Sequence, residues 1–403
     1  MSQFDYVIVG GGPAGAAAAL AIREQDKTGS ILLLGAEREP PYQRPPLSKG
    51  LWLGQQEEGD LPIKSVADWA AMQVTLALGD PVLVVQRELR QVRTAAGKDY
   101  GYGKLLLAMG GTPRILATPE ALRDRVLTLR TLEDYRRLRA RAAQGGKVLV
   151  LGGGFLGAEL AVALSRQTGL QVQYCVAGSG PLSHVLPPAL VQMISDRYQS
   201  AGVLLSTEQR FAELTMGPAG PVARCASGEE MACDWVAYGI GLQINTALAE
   251  AAGLKLGGGG VAVDDRLRSS DPQIWVAGDM ATFPDPVWGQ PLRLEHWDNA
   301  EATGRHAGLV MAGLDQPYTH QGMFFSDIYE FGFEAVGECW SSMATFTDLS
   351  RDGDQGVVYF LRDNQVHGVL LWNVWGQTDA ARALIAGREV VGSEELRGRL
   401  GTF

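Results

Sequence analysis

The chain opens with a short run of β-branched and aromatic residues, Phe4–Val9. Gly10, Gly11, Gly12, Pro13, Ala14 and Gly15 follow, and then the alanine-rich stretch Ala16–Arg23. That order predicts a strand, a tight turn and a helix, and Ser30–Leu34 adds a second strand to complete a βαβ unit. The same grammar recurs at Lys147–Leu151, Gly152–Gly157 and Ala158–Arg166, with Gln171–Val176 as its closing strand.

Between the two units lies Lys104–Gly111, an apolar run ending in Gly-Gly, and Asp234–Gly241 resembles it after the second unit closes. Gln273–Asp279 is a further buried-strand candidate that ends at Gly278-Asp279. These segments mark where the chain leaves the first unit and returns to it, so the second unit is expected to be nested inside the first. From Pro317 the character changes to aromatic-rich strands, with Gly356–Leu361 and Val366–Trp372 before a closing helix at Thr378–Ala386. A separate C-terminal α+β domain is expected.

The 403 residues exceed one ordinary core, and an apolar content of 46% can fill two or three. With 35 basic and 45 acidic residues the formal net charge is −10, which gives no general electrostatic case for nucleic acid. Arg123, Arg125, Arg130, Arg136, Arg137, Arg139 and Arg141 form a local basic cluster, readable either as a solvated helix face or as a surface for an acidic protein. The first strand begins by Phe4, with no room before it for a secretory signal, and no run approaches the roughly 18 apolar residues of a membrane span. A cytoplasmic location is expected. Cys175, Cys225, Cys233 and Cys339 form no CxxC pair and no metal-ligand spacing, so reduced structural thiols and no metal site are expected.

A helix N-terminus presents unpaired N–H groups and a partial positive charge to a pyrophosphate, provided that no side chain blocks the approach. Gly10 is expected to make the turn, Gly12 to admit the phosphate, and Gly15 to let helix pack on strand; Gly152, Gly154 and Gly157 repeat the arrangement. Glu37 stands where an acid at the end of the second strand accepts hydrogen bonds from an adenosine ribose. In the second unit Val176, Ala177, Gly178, Ser179 and Gly180 supply neither an acid for a ribose hydroxyl nor an arginine for a 2′-phosphate.

At Pro41–Lys49 (PYQRPPLSK) the chain resembles the FAD-dependent ferredoxin reductases that serve bacterial oxygenases, and apoptosis-inducing factor. The resemblance continues through Ala108–Arg114 (AMGGTPR), Gly152–Leu160 (GGGFLGAEL), Trp275–Asp279 (WVAGD), Glu295–Ala300 (EHWDNA), Met323–Asp327 (MFFSD), Gly332–Gly337 (GFEAVG) and Gly368–Asn373 (GVLLWN). It implies an α/β, glutathione-reductase-type flavoprotein with two dinucleotide-binding domains and a C-terminal α+β domain. The FAD domain would comprise 1–112 and 235–314, the inserted NAD(P) domain 113–234, and the C-terminal domain 315–403. Carried over by motif, Gly10, Gly12, Pro13, Ala14, Gly15, Glu37, Arg44, Lys49, Ala108 and Arg114 would contact FAD, as would Gly278, Asp279, Glu295, His296, Trp297 and Phe325. Gly152, Gly154, Phe155, Leu156, Gly157 and Glu159 would serve the nicotinamide nucleotide, with Lys49 and Glu159 as a catalytic pair and Phe155 shielding the nicotinamide.

Four positions depart from the family pattern. Ala36 replaces an acid, moving the FAD ribose role to Glu37; Gly178 stands in place of an NAD-ribose glutamate; Ile244 replaces a proline; Phe325 replaces a tryptophan beside the flavin and keeps an aromatic wall without the indole N–H. With no cysteine near Pro41–Lys49, electrons from NADH or NADPH would pass through FAD directly to an external acceptor such as a 2Fe–2S ferredoxin. A redox-sensing flavoprotein like apoptosis-inducing factor and a quinone or oxygen reductase are the alternatives, as monomer or homodimer.

Overall fold

Strand β1, Ser2–Val9, passes from exposed residues at its start to four wholly buried ones at its end, carrying the chain from the surface into a core. In the computed structural model, which describes residues 2–218 and 220–403, it pairs in parallel with β2 (Ile31–Gly35) and with β6 (Asp99–Leu107). β3 (Val74–Leu78) lies outside β2, strand Ile274–Val276 pairs in parallel with β6, and β4 (Val82–Gln86) and β5 (Gln91–Thr94) form an antiparallel ribbon on β6. Val9 faces both Leu34 and Leu107, and Leu107 faces Val276. Four carboxyl ends are therefore level at the edge where open α/β sheets bind ligands.

Helix α1, Pro13–Gln25, suits its sequence: alanine has the best helix propensity, and proline at the first position gives up an N–H that no helix uses. Its alanines, Ala17 apart, are buried, and it packs on helix Trp297–Met311, where a β-carbon at Gly304 would stand 2.2 Å from the Ala14 carbonyl oxygen and one at Gly308 2.5 Å from that of Ala18. The two backbones thus touch, and this contact fixes where α1 begins.

The chain divides into two compact units, one of residues up to 44, 57–112 and 243–322, the other of 45–56, 113–242 and 323–403. The second holds a parallel sheet in the order Leu204–Ser206, Leu170–Cys175, Gly146–Leu151, Trp235–Tyr238, Val126–Thr128. Here the expected return at 235 needs correction. Trp235–Tyr238 is fully buried in this sheet with Tyr238 facing Leu151, and the chain leaves the unit only at 242. An apolar run ending in glycine reads alike in either sheet, and only pairing tells them apart.

Residues 45–56 belong to the same unit, where the Trp52 ring meets Tyr135 edge-on at 5.5 Å and the Tyr135 hydroxyl donates to the Leu51 carbonyl at 3.2 Å. A five-stranded antiparallel sheet follows, in the order Met323–Ile328, Phe331–Gly337, Gln365–Trp372, Gly356–Arg362, Ala344–Leu349, with helix Thr378–Gly387 beside it. The arginine-rich segment supplies helix Leu132–Ala142, opened by a capping box between Thr131 and Asp134. Arg139 lies 5.0 Å from the Trp52 ring centroid and Arg141 5.4 Å from that of Trp235, so the basic cluster is in part a lid on aromatic rings. Among the described residues no helix is long and apolar enough to cross a membrane.

Replacing Gly304 by alanine forces the two helices apart and is expected to cost about 1–3 kcal/mol of stability. Gly59→Ala, where an added β-carbon meets nothing within 4 Å, should change urea unfolding little by comparison.

Candidate functional site

The first cradle forms where β1 gives way to α1. A β-carbon on Gly10 would lie 2.2 Å from the Ala108 carbonyl oxygen, and one on Gly15 would lie 2.0 Å from that of Gly10. At Gly12 the nearest atom would be Arg44 Nη2, 4.0 Å away. The fold itself therefore demands glycine at 10 and 15 but not at 12, where the missing side chain leaves open space. Gly12 caps α1 without a side-chain hydrogen bond, so the first-turn N–H groups are free to meet an anion in that space. A dinucleotide's diphosphate fits this donor set, and Arg44 adds a cation at its rim.

Around this cradle the first unit gathers most of the predicted flavin residues. The Glu37 carboxylate accepts from Arg44 Nη2 and from the Tyr42 hydroxyl, both at 2.6 Å, one on each oxygen; each oxygen keeps a lone pair for a ribose hydroxyl. Ala108 follows β6 and donates its N–H to the Val9 carbonyl at 2.8 Å. Gly278, at φ +70°, donates its N–H to Thr303 Oγ1 at 2.9 Å and would press a β-carbon against Ala14. Buried Asp279 comes next, its carbonyl accepting from Arg293 Nη1, which also pairs with Glu295 at 2.8 Å. Trp297 Nε1 donates to Glu301 at 2.9 Å. Burial pushes the His296 imidazole down to about 4, against the opposing pull of Asp279 and Asp298, so the ring is neutral at physiological pH.

The second cradle repeats the first. A β-carbon on Gly152 would stand 2.2 Å from the Gly239 carbonyl oxygen, one on Gly157 2.0 Å from that of Gly152, and one on Gly154 would have no atom within 4 Å. Phe155 and Leu156 begin the helix Phe155–Ser165, whose cap at Gly154 is again open. A cavity of about 640 Å³ lies over this start, within the usual range for a small-molecule site. Gly152–Gly154 and Gly239–Gly241 form one part of its wall, and Ala177, Gln209, Arg210 and Phe211 another.

One turn into that helix, Glu159 is buried and is met by three donors. Lys49 Nζ lies 2.8 Å from Oε1, Ser326 Oγ donates to Oε1 at 2.7 Å, and Ser48 Oγ donates to Oε2 at 2.6 Å. Lys49 also pairs with Asp327 at 2.7 Å and lies 4.8 Å from the Phe325 ring centroid. A buried carboxylate is tolerable only when its oxygens are satisfied, as here. The Phe155 ring packs against His184, Phe324 and Phe333, with centroids 5.7, 5.3 and 6.2 Å away. Arg114 donates Nε to the Leu242 carbonyl and its backbone N–H to that of Gly241, at 2.8 and 2.9 Å. Ser48, Ser326, Asp327, Gln209 and Arg210 are additions to the expected set. Ser326 and Asp327 lie in the MFFSD segment already singled out, whereas backbone bonds from the loop residues Glu208 and Gln209 to Gly178 and Val176 bring Arg210 to the cavity.

The family model described as pyridine nucleotide-disulphide oxidoreductase matches residues 4–304. The chain belongs to this family. A model for the mitochondrion-associated C-terminal part of apoptosis-inducing factor matches residues 307–351 and 347–387. The chain is 33% identical over 426 residues to apoptosis-inducing factor 1, mitochondrial, of Dictyostelium discoideum, covering 97% of this chain and 80% of that protein. It is also 33% identical over 391 residues to the ferredoxin–NAD(+) reductase component of the anthranilate 1,2-dioxygenase system of Burkholderia cepacia, covering 96% and 95%. Among solved structures, the covalent putidaredoxin reductase–putidaredoxin complex matches with a TM-score of 0.89 at 28% identity, covering 98% of this chain and 96% of that one. As a pyridine nucleotide-disulphide oxidoreductase, the protein is an oxidoreductase with the two-dinucleotide fold that works with flavin and nicotinamide nucleotide.

Because His296 is neutral in the fold but takes up a proton near pH 6.5 when unfolded, the unfolded chain binds more protons between pH 6.5 and about 4. Stability is therefore expected to fall as pH drops through that window. Thermal unfolding from pH 7.5 to 4.5 should show a shallower decline for His296→Gln than for the native chain; equal slopes would contradict the assignment.

Proposed function

We propose that this oxidoreductase passes electrons from NADH or NADPH through FAD to a small iron–sulfur protein of the 2Fe–2S ferredoxin type. The observation that supports this reading most is the state of the thiols. All four cysteines are buried and free, and burial pushes Cys175 and Cys233 up to about 12 and raises Cys225 and Cys339 as well. The thiolate is the reactive form, and thiols held this high are protonated at neutral pH. A family named for disulphide chemistry is here represented by a chain without a usable thiol, so reducing equivalents leave by another route. The names of relatives that are ferredoxin–NAD(+) reductase components support an iron–sulfur acceptor.

FAD, held at these residues, would supply the chemistry that links a two-electron donor such as a reduced nicotinamide to a one-electron acceptor. The protein's part is binding and charge placement. In this reading Gly10, Gly12 and Gly15, with Pro13 and Ala14, seat the flavin diphosphate, and Glu37 accepts the ribose while Arg44 balances both. Ala108, Gly278, Asp279, Glu295, His296 and Trp297 line the rest of the flavin site in the first unit. Gly152, Gly154 and Gly157 seat the nicotinamide nucleotide, and Phe155 and Leu156 keep water from it. Glu159 and Asp327 aim the Lys49 ammonium, a fixed cation placed to stabilise negative charge as it develops.

Anaerobic stopped-flow mixing with each nucleotide at about 1 mM should bleach the flavin, and an added 2Fe–2S ferredoxin should then be reduced. Lys49→Met should slow bleaching roughly 10- to 100-fold. Absence of bleaching with both nucleotides would remove the reductase reading. Bleaching without ferredoxin reduction, together with dimerisation on reduction, would favour the redox-sensing role that the C-terminal match to apoptosis-inducing factor suggests.

A further inference from the structure

The second cradle carries a cation beside the end of its second strand, where Val176–Gly180 offer no acid. In a βαβ dinucleotide fold the adenosine ribose is read at the carboxyl end of the second strand, by a carboxylate for a free 2′-hydroxyl or by an arginine for a 2′-phosphate. That strand, Leu170–Cys175, runs on into Val176, Ala177, Gly178 and Ser179, of which the last three are small and exposed. A β-carbon on Gly178 would stand 2.4 Å from Ser183 Oγ, so a glutamate there would have to displace that hydroxyl. The chain after the third strand closes over this position. Val176 donates its N–H to the Ser206 carbonyl at 3.0 Å, Glu208 to that of Gly178 at 2.9 Å, and Gln209 to that of Val176 at 3.0 Å. These bonds set Gln209 and Arg210 into the wall of the cavity that holds Gly152–Gly154 and Ala177. Gln209 Nε2 is engaged by Glu229 at 3.0 Å, whereas among the described residues no carboxylate pairs with the Arg210 guanidinium.

We infer that Arg210 holds the 2′-phosphate of NADPH, making the phosphorylated dinucleotide the substrate this cavity selects. The inference rests on the reading above that a nicotinamide dinucleotide occupies the cavity. A planar guanidinium matches two phosphate oxygens at once, and such charge-assisted bonds are the strong ones. Small residues at 177–179 leave the room that a phosphate needs, and they include no carboxylate to favour a bare ribose. Arg210 is thus a specificity residue supplied by the third strand's exit rather than by the second strand's end.

Isothermal titration of the flavin-containing protein with 2′,5′-ADP and with 5′-ADP tests this. The native chain should bind 2′,5′-ADP about tenfold or more tightly than 5′-ADP. Arg210→Ala should weaken 2′,5′-ADP alone and bring the two within about twofold, and Arg210→Lys should keep part of the preference. Arg210 is exposed, so neither change threatens folding. Equal binding of both compounds by the native chain, equal weakening of both by Arg210→Ala, or binding of neither would overturn the assignment. If the 2′-phosphate preference is present but neither NADH nor NADPH bleaches the flavin, the assignment stands and the reductase reading fails.

Discussion

The carbonyl oxygen of Gly10 sits 2.0 Å from where a β-carbon on residue 15 would have to be, and the carbonyl oxygen of Gly152 stands at the same distance from one on residue 157. Each contact presses the first turn of a helix onto the end of a strand, so the helix dipole and its free N–H groups are aimed at one point. Around that point the rest of each site is assembled. In the first unit Gly304 and Gly308 bring a second helix into backbone contact with Ala14 and Ala18, and the level strand ends carry Ala108 and Gly278 to the same edge. In the second, Gly239 performs the matching task against Gly157.

Within each triplet the outer glycines answer to close backbone contacts that the middle one lacks. No neighbour requires Gly12 or Gly154 to lack a side chain. In the proposed function, that space is where each diphosphate sits, which gives glycine a use at two positions where the fold does not require it. The Lys49 cluster has a comparable logic in charge. Burying Glu159 is tolerable because an ammonium and two hydroxyls meet its oxygens, and the same contacts fix Lys49 between two carboxylates and over the Phe325 ring. Lys49 is thereby a restrained cation rather than a mobile surface lysine.

Much of this was legible in the chain itself, because strand, glycine turn and helix follow one another locally and need no long-range contact to be read. Both helices start at the glycine turns Gly10–Gly15 and Gly152–Gly157, and the C-terminal strands begin close to their expected starts. The return from the inserted unit was misplaced because Trp235–Tyr238 is a buried apolar strand that either sheet could have accepted; its pairing with Gly146–Leu151 is a tertiary fact. Ser48 and Ser326 lie far apart in sequence and meet only on Glu159. Arg210 was invisible for the same reason: it lies in the loop after Leu204–Ser206, and only that strand's pairing and the loop's long-range backbone bonds bring it to the second strand's end.

If the open middle glycines are the seats of two diphosphates, filling each should remove one function and spare the other. Flavin absorbance of purified Gly12→Leu and Gly154→Leu variants, before and after adding reduced nicotinamide nucleotide, reads both at once. Gly12→Leu should be folded and colourless, and Gly154→Leu should be yellow with a flavin that stays oxidised. A Gly12→Leu protein that keeps its full flavin, or a native chain that remains colourless after incubation with FAD, would contradict the account.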